Sequence, residues 1–533
     1  MLTKKTTNAL LLAGFSLCLF QIWLPAYYLT GDGPCHVYNA QIVYDLWANK
    51  NVSFYAPYFT LVYQPNPNWL STLVISLLMF CVNGIIAEKI FLSVYVFTFI
   101  SGFYLLLKKI STGDSYWLLM MLIFVFPLTL SKGFYNFSFS IAFYFWVVWS
   151  WLRFLEKRSI ANTCLFLLFT TLIFFTHLLA FGIAAFTCTA LVASFAIAAQ
   201  GVTKRKFTSY FLSNVTLLAF FLTPFILLMS WFTQKKGGLQ IQLRHHFYRL
   251  IELVQGKFLI NVTHGEDYFA LTAGLVLIFL FCFSMIKFKK YRTVNKYDGI
   301  LVSLLFVTFV YLFFPESFLG TLILISMRAQ LFVLILMACC IAYIVPDGKF
   351  KNVSGIILFG CFIGLSIIRI NCQLSASYGV VDYVSAIKFI KPYSVVLPLD
   401  FSPNGKDEQG LMIADRNFLF SHASQYMGLN KPLIFLDNYE ANMGYFPLRW
   451  NEKTNPYYHL NKGNGIEGQP PCADIAGYKQ ISGVTIDYIL MWCYDTSWLK
   501  NNDFAKFYAE INNGYHKVYS STTERTLLFE KNQ

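Results

Sequence analysis

Leu29-Thr30-Gly31-Asp32-Gly33-Pro34-Cys35-His36-Val37-Tyr38-Asn39-Ala40 follows directly on an apolar run at about residues 9–28. That run stands behind Lys4-Lys5, is too long for a signal-peptide core and is not followed by a small-x-small cleavage site. It reads as an uncleaved membrane anchor entering from the cytoplasm. An acid just beyond such a span, set in a Gly-Asp-Gly-Pro turn, stands at the membrane boundary on stiff backbone. Gly, Asp and Pro also form turns for steric reasons alone, so spacing leaves an ordinary turn as the alternative. Beyond the turn, His36 to Trp47 presents His36, Asn39 and Val43 on one face, which predicts a helix along the membrane surface.

The rest of the chain has the same character. Of 533 residues, 56% are hydrophobic and 13% charged, against about 25% charged in soluble proteins. Mean hydropathy is +0.53. A cytosolic enzyme, a disulfide scaffold and a disordered chain are excluded together. Further spans are expected near 89–107, 116–131, 134–152, 161–177, 180–200, 208–232, 268–286, 299–314, 319–345 and 352–370, making eleven with the first. The net charge of +14 does not call for nucleic acid, because the cations gather between apolar runs. Lys108-Lys109, Arg153 with Lys157-Arg158, Lys204 to Lys206, Lys287 to Arg292 and Lys349-Lys351 all fall in the cytoplasm if 68–86 is a juxtamembrane or re-entrant helix and not a twelfth span. Most of the twelve cysteines lie in apolar runs without metal-ligand spacing.

This threading predicts a transmembrane domain over 1–370, with an outer loop at 29–67, and a small extracytoplasmic α/β domain over 371–533. In the latter, Ser394 to Leu399, Pro432 to Leu436 and Thr485 to Trp492 read as strands and Asp503 to Ile511 as a helix. Cys472 and Cys493 would both lie outside, where a disulfide is open to them. His422 reads as structural.

The same threading brings several polar groups to one depth. Lys132 and Asn136 lie in the turn Ser131 to Phe137, His177 ends an outward span, Glu266-Asp267 precede an inward one, Glu316 lies in an outer turn and Arg328 just inside the next span. Ionisable groups at membrane depth are costly and mark functional cavities. A lipid-linked phosphosugar needs fixed cations for its phosphate, which Lys132, His177 and Arg328 can supply. Its acceptor needs a carboxylate base, which Asp32 can supply with His36 beside it. Asn136, Glu266 and Asp267 are candidate substrate contacts, as are Tyr439 and Glu440 in the polar, aromatic stretch Asp437 to Pro447. Each has a plainer reading: His177 as a helix cap, Lys132 snorkelling, Arg328 paired with Glu316. No Gly-x-Ser-x-Gly elbow or His-Glu-x-x-His helix occurs to support a hydrolase, and without a Walker-type loop direct ATP use is not expected.

These features resemble the GT-C class of integral-membrane glycosyltransferases, which includes protein O-mannosyltransferases, oligosaccharyltransferase catalytic subunits and aminoarabinose transferases. The resemblance lies in the first span ending in an acidic motif, Gly31-Asp32-Gly33-Pro34, in the juxtamembrane helices of a large first loop, and in the C-terminal outer domain. It implies a polyprenyl-phosphate-linked sugar donor, a glycan, lipid or protein acceptor, and Asp32 as base or metal ligand. The sequence departs from the class where an acidic pair is usual, since Gly33 follows Asp32, and a basic-Pro-Pro-Leu motif is replaced by Gln64-Pro65-Asn66-Pro67. A divalent metal is therefore left open. The expectation is an inverting membrane glycosyltransferase of the bacterial cytoplasmic membrane, acting on its outer face. The alternatives are a transporter or flippase of lipid-linked glycans and a non-catalytic assembly protein. The ionisable groups gather at one face and not along a path through the membrane, which favours the enzyme.

Overall fold

The computed structural model describes residues 4–63, 66–111, 116–200, 214, 221, 246–290, 295–318, 321–322, 324–345 and 348–533. The span expected at 208–232 and the basic cluster Lys204 to Lys206 lie outside the described residues, apart from Asn214 and Phe221. Seven of the described helices are long and apolar enough to cross a membrane, and three shorter apolar ones coincide with expected spans at 116–131, 161–177 and 299–314.

The helices that matter for the site are α1 (Lys4–Trp23), α2 (Gly33–Trp47), α3 (Leu70–Leu78), α4 (Gly84–Ile110), α5 (Tyr135–Glu156), α6 (Ile160–Thr176), α7 (Leu178–Gln200), α8 (His246–Val254), α9 (Asp267–Lys290), α10 (Asp298–Phe313), α11 (Ile325–Ile344) and α12 (Lys349–Val384). At nine residues α3 is about 14 Å long, too short to span a bilayer. The chain therefore reaches α4 on the side where α1 ended, and Lys108-Lys109, Arg153, Lys157-Arg158 and Lys349-Lys351 come to the opposite end. There Glu156 binds both Lys109 and Lys296, the latter at 2.9 Å. Buried Lys351 donates to the carbonyls of Ala342 and Val345, closing the end of α11.

Three expectations are corrected. The run 116–131 is a 3-10 helix over Tyr116–Phe124 followed, after Pro127, by a short helix Leu128–Ser131. All nine residues of the 3-10 segment are buried, and a Cβ on Gly355 of α12 would stand 2.2 Å from the Tyr116 carbonyl oxygen, so α12 packs on its bare backbone. The run 319–345 opens with a hairpin, Ser317–Phe318 against Thr321–Leu322, and its helix begins only at Ile325. The last span does not stop at 370: α12 has 36 residues, about 54 Å, and runs unbroken into the C-terminal domain.

That domain carries strands β2 (Ser394–Asp400), β3 (Leu433–Phe435), β5 (Tyr488–Trp492), β6 (Tyr515–Ser520) and β7 (Thr526–Lys531) in the order β3-β2-β5-β7-β6, with β1 (Phe59–Leu61) of the first loop pairing antiparallel to β4 (Leu448–Trp450). β3, β2 and β5 are parallel, and the last two pairings antiparallel. Three of the strands were expected; β6 and β7, with their partly exposed alternation, were not. Helix α2 is packed between the two halves, with Val37 and Ala40 in the core of the bundle. Leu29, Tyr38, Ile42 and Val43 belong to the hydrophobic core of the C-terminal domain, and the Tyr38 hydroxyl donates to the Leu433 carbonyl at 2.8 Å. The first loop is thus the floor of that domain. Cys472 and Cys493 are separate free thiols.

Candidate active site

Asp32 is the residue before the first turn of α2, yet its side chain makes no capping bond. Its backbone explains its position. The N–H groups of Gly31 and Asp32 donate to the carbonyls of Ser131 and Lys132 at 3.0 and 2.9 Å, tying the acidic turn to the turn before α5. Gly133 completes the contact with φ +87°, and a Cβ there would stand 2.4 Å from the Asp32 nitrogen. Only glycine fits both the conformation and the space.

Around Asp32 the two domains meet. On α2, Asn39 shares a face with Cys35 and His36, from which it is four and three residues away, and the three face the loop after β3. Asn39 Nδ2 donates to Glu440 Oε2 at 2.8 Å, and Asn438 Nδ2 to Asn39 Oδ1 at 2.7 Å. His36 Nδ1 lies 2.7 Å from Glu440 Oε1, while its Nε2 is 3.0 Å from the Gly133 carbonyl. An imidazole facing two acceptors is held as a double donor. Burial works against that charge, but Glu440 and Asp32 outweigh it and raise the His36 pKa above its ordinary value. With both nitrogens facing acceptors of the protein, His36 is not presented as a free base. Its ring stacks on Tyr135 at 5.1 Å, whose hydroxyl donates to Glu88 Oε1 at 2.5 Å; Tyr426 donates to Glu88 Oε2 at 3.0 Å. Glu88 was missed in the sequence, although an acid at the mouth of an apolar span is itself a signal.

The Asp32 carboxyl is raised above the usual range by burial, with His422, Tyr439 and His36 acting in the opposite sense. The Tyr439 phenol lies near enough to act on it electrostatically. Lys132 is lowered by burial and faces Asp32. The Arg328 guanidinium lies over the rings of Phe134 and Phe137 at 4.9 and 5.5 Å, within electrostatic range of Tyr445, Tyr439 and Asp32. Six expected residues therefore come together: Asp32, His36, Lys132, Arg328, Tyr439 and Glu440.

The other four have different engagements. His177 caps α7, its Nδ1 accepting from Leu179 N at 3.2 Å, and stands edge-on to Phe137. Asn136 accepts from Ser71 N and donates to Asn68 O, fastening α3 to α5. Glu266 is fully buried; it accepts from Asn261 N and pairs with Arg369 at 2.6 Å, beneath the point where α12 leaves the bundle. Asp267 pairs with Arg416 at 3.0 Å across to the C-terminal domain. These contacts hold the architecture around the site, and His177 stays within electrostatic range of Arg328. The ion pair that Glu316 makes among the described residues is with Arg249 of α8, at 3.0 Å. Also among the described residues, no three His, Cys, Asp or Glu side chains converge to hold a metal ion.

No family model matches the chain, and no curated protein matches it in sequence. Among solved structures it is similar to ArnT from Cupriavidus metallidurans in its apo state, with a TM-score of 0.54 and 10% identity over 98% of each chain. The chain has the fold of that GT-C protein from end to end.

Proposed function

We propose that this protein is a membrane glycosyltransferase that moves a sugar from a polyprenyl-phosphate-linked donor to a hydroxyl or amine of a glycan, lipid or protein acceptor. The observation that carries the reading is a half-buried carboxylate, Asp32, unused as a helix cap and faced by Lys132 and Arg328. The gathering of basic residues at the far end of the bundle supports an outer-face site in a bacterial cytoplasmic membrane.

In the proposed step Asp32 takes the proton of the acceptor O–H or N–H, and the freed electron pair forms the new bond to the sugar's anomeric carbon. The anomeric carbon–oxygen bond breaks, its electrons passing to the phosphate oxygen, where Lys132 and Arg328 offset the developing charge. Attack opposite the leaving group inverts the anomeric centre. His36 and Glu440 do not exchange protons with substrate; they hold the α2 turn against the C-terminal domain.

The test is transfer by the purified protein in liposomes from a panel of radiolabelled polyprenyl-phosphate sugars to envelope extracts. Transfer lost in Asp32→Asn supports the reading. Movement of intact donor across the bilayer without bond cleavage would replace it with a flippase.

A further inference from the structure

The C-terminal domain brings a second histidine to this site. His422 and Asp437 are 5% and 4% exposed, with His422 Nδ1 3.7 Å from Asp437 Oδ2. Asp437 lies just beyond β3 and Asp400 ends β2. The chain leaves β2 for β3 on one side, and β5 lies on the other, so Asp400 stands where strand order reverses and Asp437 beyond the neighbouring strand, both at the carboxyl ends of parallel strands, the usual ligand-facing edge of such a sheet. Ser424 donates to Asp437 Oδ2 at 3.3 Å and Gln425 to its carbonyl at 3.2 Å, fixing the acid. The His422 ring stacks on Tyr439 at 4.9 Å, with 23° between the planes. Tyr439 in turn lies within electrostatic range of Asp32.

We infer that the His422–Asp437 pair is a positioning unit for the base: His422 backs the Tyr439 ring and serves as counter-charge to the Asp32 carboxylate, and Asp437 holds His422 in place. The inference rests on the reading of Asp32 as base.

A buried imidazole with only a structural task would not need this surrounding. His422 is faced by Asp437, Glu467, Asp32 and Asp400 and by the Tyr439 ring. Asp32 is faced by His422, Tyr439, Glu440, His36, Lys132, Arg328, Tyr445 and Glu467. Burial disfavours the imidazolium, but Asp437 and Glu467 override it and raise His422 to about 9, so it is a cation at neutral pH. Of the groups that offset the effect of burial on Asp32, His422 acts most strongly. Removing that cation lets the Asp32 pKa rise further, and the base is then protonated over a wider range of pH.

Two measurements test this. In the full-length protein in nanodiscs labelled with 13C at histidine Cε1, there are eight histidine signals, and His422→Gln identifies one. That signal should stay in the imidazolium form through pH 8 in the wild type, and titrate at lower pH in both Asp437→Asn and Asp32→Asn. Titration near the ordinary histidine value in the wild type, or indifference to Asp32→Asn, overturns the inference. The second measurement is the pH profile of turnover. His422→Gln should move its acid limb to higher pH by about one unit, a roughly tenfold loss below the limb, while the plateau is largely kept; Asp437→Asn should move it the same way. A loss equal at all pH values in a folded variant makes the pair merely structural and overturns the inference. If no donor is turned over by the wild type, the glycosyltransferase reading fails, and the histidine titration still decides whether His422 is coupled to Asp32.

Discussion

Gly133→Ala is the sharpest perturbation of the proposed site that leaves every polar group in place. Gly133 has φ +87°, and the added methyl would meet Asp32 N at 2.4 Å, Gly33 N at 2.6 Å and Asp32 Cα at 2.7 Å. All three atoms are backbone, so no side chain can swing away. The left-handed conformation costs an L-residue about 1–2 kcal/mol, and forcing a group into packed space adds about 1–3 kcal/mol, for roughly 2–5 kcal/mol if nothing moves. The cheapest relief is separation of the two turns, which breaks the bonds from Gly31 and Asp32 to Ser131 and Lys132 and withdraws Gly133 O from His36. A displacement of about 1 Å at a reacting group costs about 100-fold in rate. The expected result is therefore a loss of at least about 100-fold in transfer, with a lowered thermal midpoint in detergent and normal membrane insertion. Gly182→Ala is the control, because nothing lies within 4 Å of its Cβ, and it should keep both activity and stability. Gly133→Ala turning over within threefold of wild type would show that the contact between the two turns does not position the base.

Asp32→Asn should lower transfer by about 10²–10⁴-fold while a fluorescent polyprenyl-phosphate still binds; unchanged transfer would remove the base from this position. Glu316→Gln deprives fully buried Arg249 of its ion pair and should destabilise the protein by about 3–5 kcal/mol at most, measured as a lower thermal midpoint with little change in turnover per folded molecule. Because His422 is raised from 6.5 to about 9, its contribution to stability is complete below about pH 6.5 and lost as pH rises through 9. The thermal midpoint of the wild type should therefore fall over that window more steeply than that of His422→Gln, and parallel curves would contradict the shift. With exposed Cys81, Cys164 and Cys282 replaced, cysteines at Ser53 and Asn513 should react with an impermeant reagent from one side of the membrane and one at Lys157 only from the other; labelling of all three from one side would overturn the threading.

How far the fold could be read from sequence follows from where the deciding contacts lie. The spans are local facts, since about twenty apolar residues report themselves without reference to the rest of the chain, and the placement of Lys108-Lys109 and Lys349-Lys351 was enough to demote 68–86 to a short helix. What periodicity could not reveal was conformation inside an all-apolar run. Tyr116–Phe124 is buried on every side, so no polar face distinguishes a 3-10 segment from an α-helix, and the cause, bare backbone at Gly355, lies more than 230 positions away. Likewise α12 carries no stop signal at 370, because a helix leaving lipid for a protein interface needs no change of period.

The site divides along the same line. Asp32, Lys132 and Arg328 could be proposed because each is an ionisable group at a span end, a signal carried by the residue and its neighbours. His422 could not: nothing beside it in the chain is unusual, and its meaning comes from Asp437, Tyr439 and a carboxylate 390 positions earlier. Glu440 was chosen for its sugar-binding chemistry, yet both of its oxygens are engaged by His36 and Asn39. Its contacts therefore join the domains. That distinction has a mechanical consequence. The base stands on the turn tied to the membrane bundle, with Lys132 and Arg328, while His422 and Tyr439, which also act on its charge, stand on the C-terminal domain. The chemistry then depends on the Glu440 clasp between them. Glu440→Gln keeps the shape of the clasp but removes its ion pair with His36, so the variant should insert and fold while its turnover falls. In Glu440→Ala the clasp is gone, and the C-terminal domain should become more open to protease, with activity lost together with that protection. Full activity in a Glu440→Ala protein would separate the two halves and return the site to the bundle alone.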